Sequence, residues 1–146
     1  MSKAQKLISG IFALVFALAI APTASFAATN YDLSVNGEHF TSEKLTIQCG
    51  EGTATYDPDA QNLTLNNASI TNAVDYGGID SELTSDLTIT LQGSNQITFN
   101  DNIGIMATGN VIFHGSGGLA ISVAGDTMDG ISVAGDVTMQ NTAVSI

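Results

Sequence analysis

The chain of 146 residues has room for one domain once any targeting segment is removed, and it sets fourteen Asp and Glu against three Lys and no Arg. That balance argues against nucleic acid and anionic membrane as partners, because both need Lys or Arg to neutralise phosphate. A single cysteine, Cys49, rules out an internal disulfide, so stability must come from packing, and the thiol is expected to be buried near a strand end.

Residues 1–27 read as a secretory signal. Lys3 and Lys6 precede an apolar run over residues 7–20, broken only by Ser9 and Gly10, and Pro22 ends any helix there. Ser25-Phe26-Ala27 then supplies small residues at −3 and −1 of a cleavage site before Ala28. The run is short for a span, and no stop-transfer charges come after it, so cleavage and export are expected, with no membrane association afterwards. Cleavage leaves Lys44 as the only Lys or Arg against the fourteen acids, a formal charge of −13. Such a chain favours cations or neutral, hydroxyl-rich ligands, although acids also serve simply to solubilise a surface.

Residues 28–58 alternate without repeating. Tyr31-Asp32-Leu33-Ser34-Val35, Lys44-Leu45-Thr46-Ile47 and Thr53-Ala54-Thr55-Tyr56 have strand period, and Asn36-Gly37 is a strong turn signal. This segment is expected to be an N-terminal strand cap over the first repeat of the remaining chain.

Residues 59–146 repeat every 24 to 27 residues, with three anchors in constant order. An Asx residue opens an alternating strand at Asn62, Asp86, Asn110 and Asp136. An isoleucine comes next at Ile70, Ile97, Ile121 and Ile146, and a Gly-Ile pair recurs at Gly78-Ile79, Gly104-Ile105 and Gly130-Ile131. Each anchor lies in a period-two run, and turn residues such as Gly93-Ser94-Asn95 and Gly115-Ser116-Gly117-Gly118 separate the runs. Three short strands per repeat make one coil, and a coil cannot bury its inward residues unless neighbours stack. The expected fold is all-β, a right-handed single-stranded parallel β-helix, with Leu65, Ile89, Phe113 and Met139 aligned inside. A propeller would want roughly 40 residues per repeat, and a sandwich would be built from antiparallel hairpins with tight turns. The chain stops at Ile146 in mid-repeat without a capping segment, so further coils are expected beyond it.

The stretch from Gly52 through Tyr56-Asp57-Pro58 and Asn62-Leu63-Thr64-Leu65 to Ala68 resembles a recurrent opening in secreted bacterial proteins described as carbohydrate-binding. Those proteins join a signal peptide, a strand cap and right-handed coils, and are pectate-lyase-like in fold. The resemblance implies a secreted or cell-surface protein of a Gram-positive-type bacterium that binds plant-type polysaccharide, often with calcium. Lyases of that fold usually abstract a proton with Arg; here only Lys44 remains, in the expected cap. The Asn-Thr-Asp, Asp-Asp and Gly-His-Gly set of polygalacturonases is also missing. No catalysis is expected from these residues.

For binding, acids precede each Gly-Ile anchor: Asp75, Asp101, Asp126 and Asp129. If the coils stack in register these carboxylates form a column at about 4.8 Å, whose repulsion Ca²⁺ would relieve. Asx turns account for the same aspartates without any ligand. The Asx residues that open the first strands read as a structural ladder. Tyr76 is the one aromatic expected to stack on a sugar, and Phe99 and Phe113 are expected to be buried. His114 is expected in a turn. Thr64, Thr88, Thr90, Thr98, Ser122, Ser132 and Thr138 form a polar outer face suited to sugar hydroxyls or simply to water. A polysaccharide-binding module is the leading expectation, a structural or adhesive stalk the alternative, and a fragment of a lyase or hydrolase the least favoured.

Overall fold

The computed structural model describes residues 27–146 apart from 74, 75, 126 and 127. The signal segment therefore lies outside the described residues, except for Ala27. Among the described residues every regular element is a strand. The first coil comprises β5 (Asn62–Asn66), β6 (Ser69–Ile70) and β7 (Gly77–Ser81). Next come β8 (Leu87–Gln92), β9 (Ser94–Phe99) and β10 (Ile103–Ala107), then β11 (Val111–Gly115), β12 (Gly118–Val123) and β13 (Ile131–Val133). A fourth turn begins with β14 (Val137–Gln140) and β15 (Ala143–Ser145). Equivalent strands pair in parallel, making a β-solenoid of about three turns. Sheet A holds β7, β10 and β13; sheet B holds β5, β8, β11 and β14; sheet C holds β6, β9, β12 and β15.

The residues before the first coil extend two of these sheets with reversed strands. In sheet A, β1 (Asn30–Val35) pairs antiparallel with β7 and with β2 (Glu38–Thr41). In sheet B, β4 (Gly52–Asp57) pairs antiparallel with β5 and with β3 (Thr46–Cys49). Asn36-Gly37 makes the two-residue turn of the first hairpin, at φ 53° and 85°, the left-handed pair that such turns require. The asparagine side chain ties the segment together: Asn36 Oδ1 accepts from the amides of Thr71 (3.0 Å) and Asn72 (3.1 Å), and Nδ2 donates to the Gln48 carbonyl (3.3 Å). Phe40, Ile47, Cys49 and Tyr56 fill the space over the first coil. The Tyr56 ring meets Phe40 at 5.6 Å and Tyr31 edge-on at 5.8 Å.

Inward residues form continuous rows. Ile79–Ile105–Ile131 runs through sheet A and Ile70–Ile97–Ile121 through sheet C. In sheet B the row is Leu63–Ile89–Phe113–Met139, and Leu65 instead faces Leu91. The alignment expected from the Asx openers is therefore wrong by two residues in the first coil. The cause is unequal coil length in sheet B: Asn62 lies opposite Thr88, whereas Val111 lies opposite Leu87.

Why glycine precedes isoleucine at the third anchor is a matter of packing. Gly78 and Gly104 lie under the large residues of sheet C. A Cβ on Gly78 would stand 2.3 Å from the Phe99 ring, and one on Gly104 would stand 2.7 Å from Ile121 Cγ2 and 2.4 Å from the Gly130 carbonyl oxygen. At the corner between sheets B and C the chain turns through left-handed residues, among them Asn67 (φ 49°), Gly93 (φ 66°) and Asn141 (φ 52°). Asn67 Oδ1 caps the next coil by accepting from the Ser94 amide at 3.1 Å.

Among the described residues Ser34, Ser81 and Asn95 are the buried polar ones, and Asn95 ties neighbouring coils together. Asn95 is 2% exposed and aligns with Leu119 in β12. Its Oδ1 accepts from the Ala68 amide of the coil before (2.8 Å), and its Nδ2 donates to the carbonyls of Gln92 and of Gly118 in the coil after (3.1 Å each). The group is fully satisfied, and so it joins three coils where an unpaired amide would be costly.

Candidate functional site

Outward residues alternate with the buried rows, so the in-register pairing also aligns the surface. On sheet B one outward row runs Thr46–Thr55–Thr64–Thr90–His114–Gln140 across all six strands. Beside it runs Gln48–Thr53–Asn66–Gln92. On its other side lie Asp57, Asn62, Thr88, Ile112 and Thr138. His114 is thus an outward residue of β11, like Ile112, and not a turn residue, because β11 continues to Gly115 in pairing with Leu91.

Hydrogen bonds order this face. The hydroxyls of Thr46 and Thr55 lie 3.2 Å apart, Asn62 Nδ2 donates to Thr64 Oγ1 (3.1 Å), and Thr90 Oγ1 donates to Asn62 Oδ1 (2.6 Å). Thr90 Oγ1 also lies 3.0 Å from His114 Nε2. Since the Thr90 proton goes to Asn62, the network assigns the remaining bond to an N–H on His114 Nε2.

The Asx ladder holds from the second coil upward. Asn110 Nδ2 donates to Asp86 Oδ1 (2.8 Å) and Asn110 Oδ1 accepts from the Asp136 amide (2.8 Å). Asn62, shifted in register, takes part in the outer face instead.

Sheet A differs in charge. A shallow cleft between β1, β2 and β7 is lined by Asn30, Asp32, Ser34, His39, Asp80 and Glu82. Lys44 forms an exposed ion pair with Glu38 near the hairpin. Periodicity could not have gathered these residues, because the antiparallel docking of β1 on β7 brings them from opposite ends of the segment.

Of the aspartates expected to form a column, Asp75 and Asp126 lie outside the described residues. Asp101 is exposed between β9 and β10 at φ 117°, and a Cβ on Gly125 in the next coil would approach its Oδ1 to 3.2 Å. Asp129 is exposed, and its carbonyl accepts from the Gly104 amide at 3.2 Å. The Ile105–Ile131 register sets Asp129 level with Ile103, two residues along from Asp101, so these two do not stand directly over one another. Among the described residues no group of three or more His, Cys, Asp or Glu gathers closely enough to hold a metal ion. Tyr76 is 66% exposed at the entry to β7, and its carbonyl accepts from the Ile103 amide at 3.2 Å. Phe99 and Phe113 are buried, as their alternation requires.

Cys49 is fully buried beside Ile47 and Ala54, and burial, the largest effect, pushes its thiol up to about 11. Burial likewise raises the Tyr56 hydroxyl, with the nearby Asp57 charge adding to it. Neither group is poised as a nucleophile or base at neutral pH.

The chain matches no protein-family model, and no match was found among curated proteins or solved structures.

Proposed function

We propose that the protein is an exported β-helix that binds polysaccharide without chemically altering it. The observation that carries this reading is the ordered outer face of sheet B, whose hydroxyl and carboxamide groups both donate and accept hydrogen bonds, as sugar hydroxyls do. Tyr76 adds an exposed ring with an apolar face and a polar tip, the kind of group that packs on a pyranose. The formal charge of −13 beyond the signal segment disfavours polyanionic partners.

Calcium enters this reading as an assistant at the turns before the Gly-Ile anchors, with Asp75, Asp101, Asp126 and Asp129 as its donors. Exposed carboxylates and backbone carbonyls are the oxygen donors that this hard cation takes. The test is a pull-down of the full chain against a panel of neutral and acidic polysaccharides, with Ca²⁺ and with EDTA, while absorbance at 235 nm tracks any unsaturated product. Retention on at least one glycan, without new absorbance, supports a binder. Retention on none would leave a rigid surface stalk as the better account.

A further inference from the structure

The outward faces of the solenoid do not share its charge equally. Sheet A carries Asp80 in the row with Met106 and Ser132, and Asp32, His39 and Glu82 line the cleft beside it. On sheet B, neither the row from Thr46 to Gln140 nor the row from Gln48 to Gln92 contains an Asp, Glu, Lys or Arg. Asp57 stands only at the margin, paired with Asn62. The outward rows of sheet C, Ser69–Gln96–Ala120–Ser145 and Thr98–Ser122, are uncharged too, but they span four strands at most, whereas the central row of sheet B spans six.

From this we infer that the outer face of sheet B is the docking surface, and that its ligand is an uncharged polysaccharide with chains packed side by side into a flat, hydroxylated surface. The inference rests on the polysaccharide reading above and adds the place and the ligand class. Charge selects the ligand. An acidic glycan would meet no cation on these rows, and acids around them would repel it. A neutral glycan has no such penalty.

Shape selects the packed form. The central row continues in register over six strands and the row beside it over four, at about 4.7–4.9 Å per step, so the groups are spread across a broad sheet face. Threonine is stiff about χ1, and the bonds through Asn62, Thr90 and His114 hold these groups in place before any ligand arrives. Little side-chain entropy is then lost on contact, which a flat face making many weak bonds requires. Each threonine also presents a methyl beside its hydroxyl, matching the mixed C–H and O–H surface of packed sugar rings.

The test is adsorption of the full chain to insoluble chitin and to microcrystalline cellulose, with soluble polygalacturonate and bare silica as comparisons. Thr64→Glu and Thr90→Glu place a carboxylate in the central row, and Ser132→Glu places one on sheet A. We expect both threonine variants to lose at least tenfold in adsorption to a neutral solid glycan at unchanged melting temperature. Ser132→Glu should leave adsorption unchanged. Should the glutamates lower the melting temperature, Thr55→Lys in the edge-side strand of the same row provides the reading, with adsorption again expected to fall at least tenfold. Wild-type adsorption that survives all the threonine substitutions would overturn the assignment to sheet B while leaving the polysaccharide reading intact. EDTA-sensitive binding to polygalacturonate alone, or equal adsorption to silica, would also overturn it. If the wild-type chain is held by no glycan, the polysaccharide reading itself fails first.

Discussion

Asn95 reaches through the interior to the carbonyl of Gly118, donating a 3.1 Å hydrogen bond from one coil to the next while its oxygen receives the Ala68 amide from the coil before. A parallel solenoid needs such ties wherever a corner leaves backbone groups facing inward, because no water reaches them.

Asn95→Leu matches the shape of Leu119 in the same row but strands one amide and two carbonyls. At about 1–3 kcal/mol for each buried unsatisfied group, reduced by relaxation, the loss should be about 3 kcal/mol in urea denaturation. Asn95→Asp keeps the acceptor for Ala68 but turns a carboxylate oxygen toward two carbonyls. It should be worse at neutral pH and recover in part below about pH 4, where a protonated carboxyl donates again. Equal stability of both variants and wild type would mean that water already satisfies these groups.

Gly104→Ala should cost about 3 kcal/mol, at the upper end of the usual range for overpacking, since its Cβ would meet the Gly130 carbonyl oxygen at 2.4 Å and Ile121 Cγ2 at 2.7 Å. Adding Ile121→Ala should not rescue it, because the backbone contact remains. Rescue in a thermal melt would show that only the side chain is in the way.

This glycine shows how much of the fold was legible in the sequence. The recurrence of Gly-Ile at a spacing of 26 residues set the coil length in sheet A, and Ile105 indeed pairs with Ile79 and Ile131. The Asx openers misled in the first coil, because Asn62 resembles Asp86 chemically yet lies opposite Thr88. Residue type alone cannot show where a coil gains two residues.

Asn95 was hidden for another reason. Gly93-Ser94-Asn95 has turn composition, but Asn95 also keeps the period of Ile97 and Phe99 and points inside with them. That period was the signal that could have placed it. For the outer face, Thr64, Thr88, Thr90 and Thr138 were legible from alternation. Thr46 and Thr55 were not, because their alignment depends on antiparallel pairing that no repeat announces.

Cys49 should resist alkylation in the folded protein at neutral pH and react only on unfolding. Burial raises its folded pKa to about 11 from an ordinary value of 9.0, so the unfolded thiol loses its proton first. The thiol's contribution is therefore intact below about pH 9 and is lost as pH rises through 11, a change of roughly 3 kcal/mol at most. Cys49→Val should flatten that part of the alkaline stability profile, and an unchanged profile would place the thiol in contact with solvent.

Asn36→Ala should release the hairpin from the first coil. It removes the bonds to Thr71, Asn72 and Gln48 and forces a Cβ-bearing residue without a local hydrogen-bonding side chain to hold φ 53°. A loss of about 2–3 kcal/mol is expected. Hydrogen exchange should show faster opening of β1 and β2 than of β8 and β11.

Salt dependence separates an uncharged contact from a charged one. If an uncharged face docks an uncharged packed glycan, the adsorption isotherm of the full chain on chitin or cellulose should be saturable and nearly unchanged from about 0.1 M to about 1 M NaCl, although the screening length falls from about 10 Å to about 3 Å. Adsorption that collapses over this range would place the contact on charged groups and contradict the account.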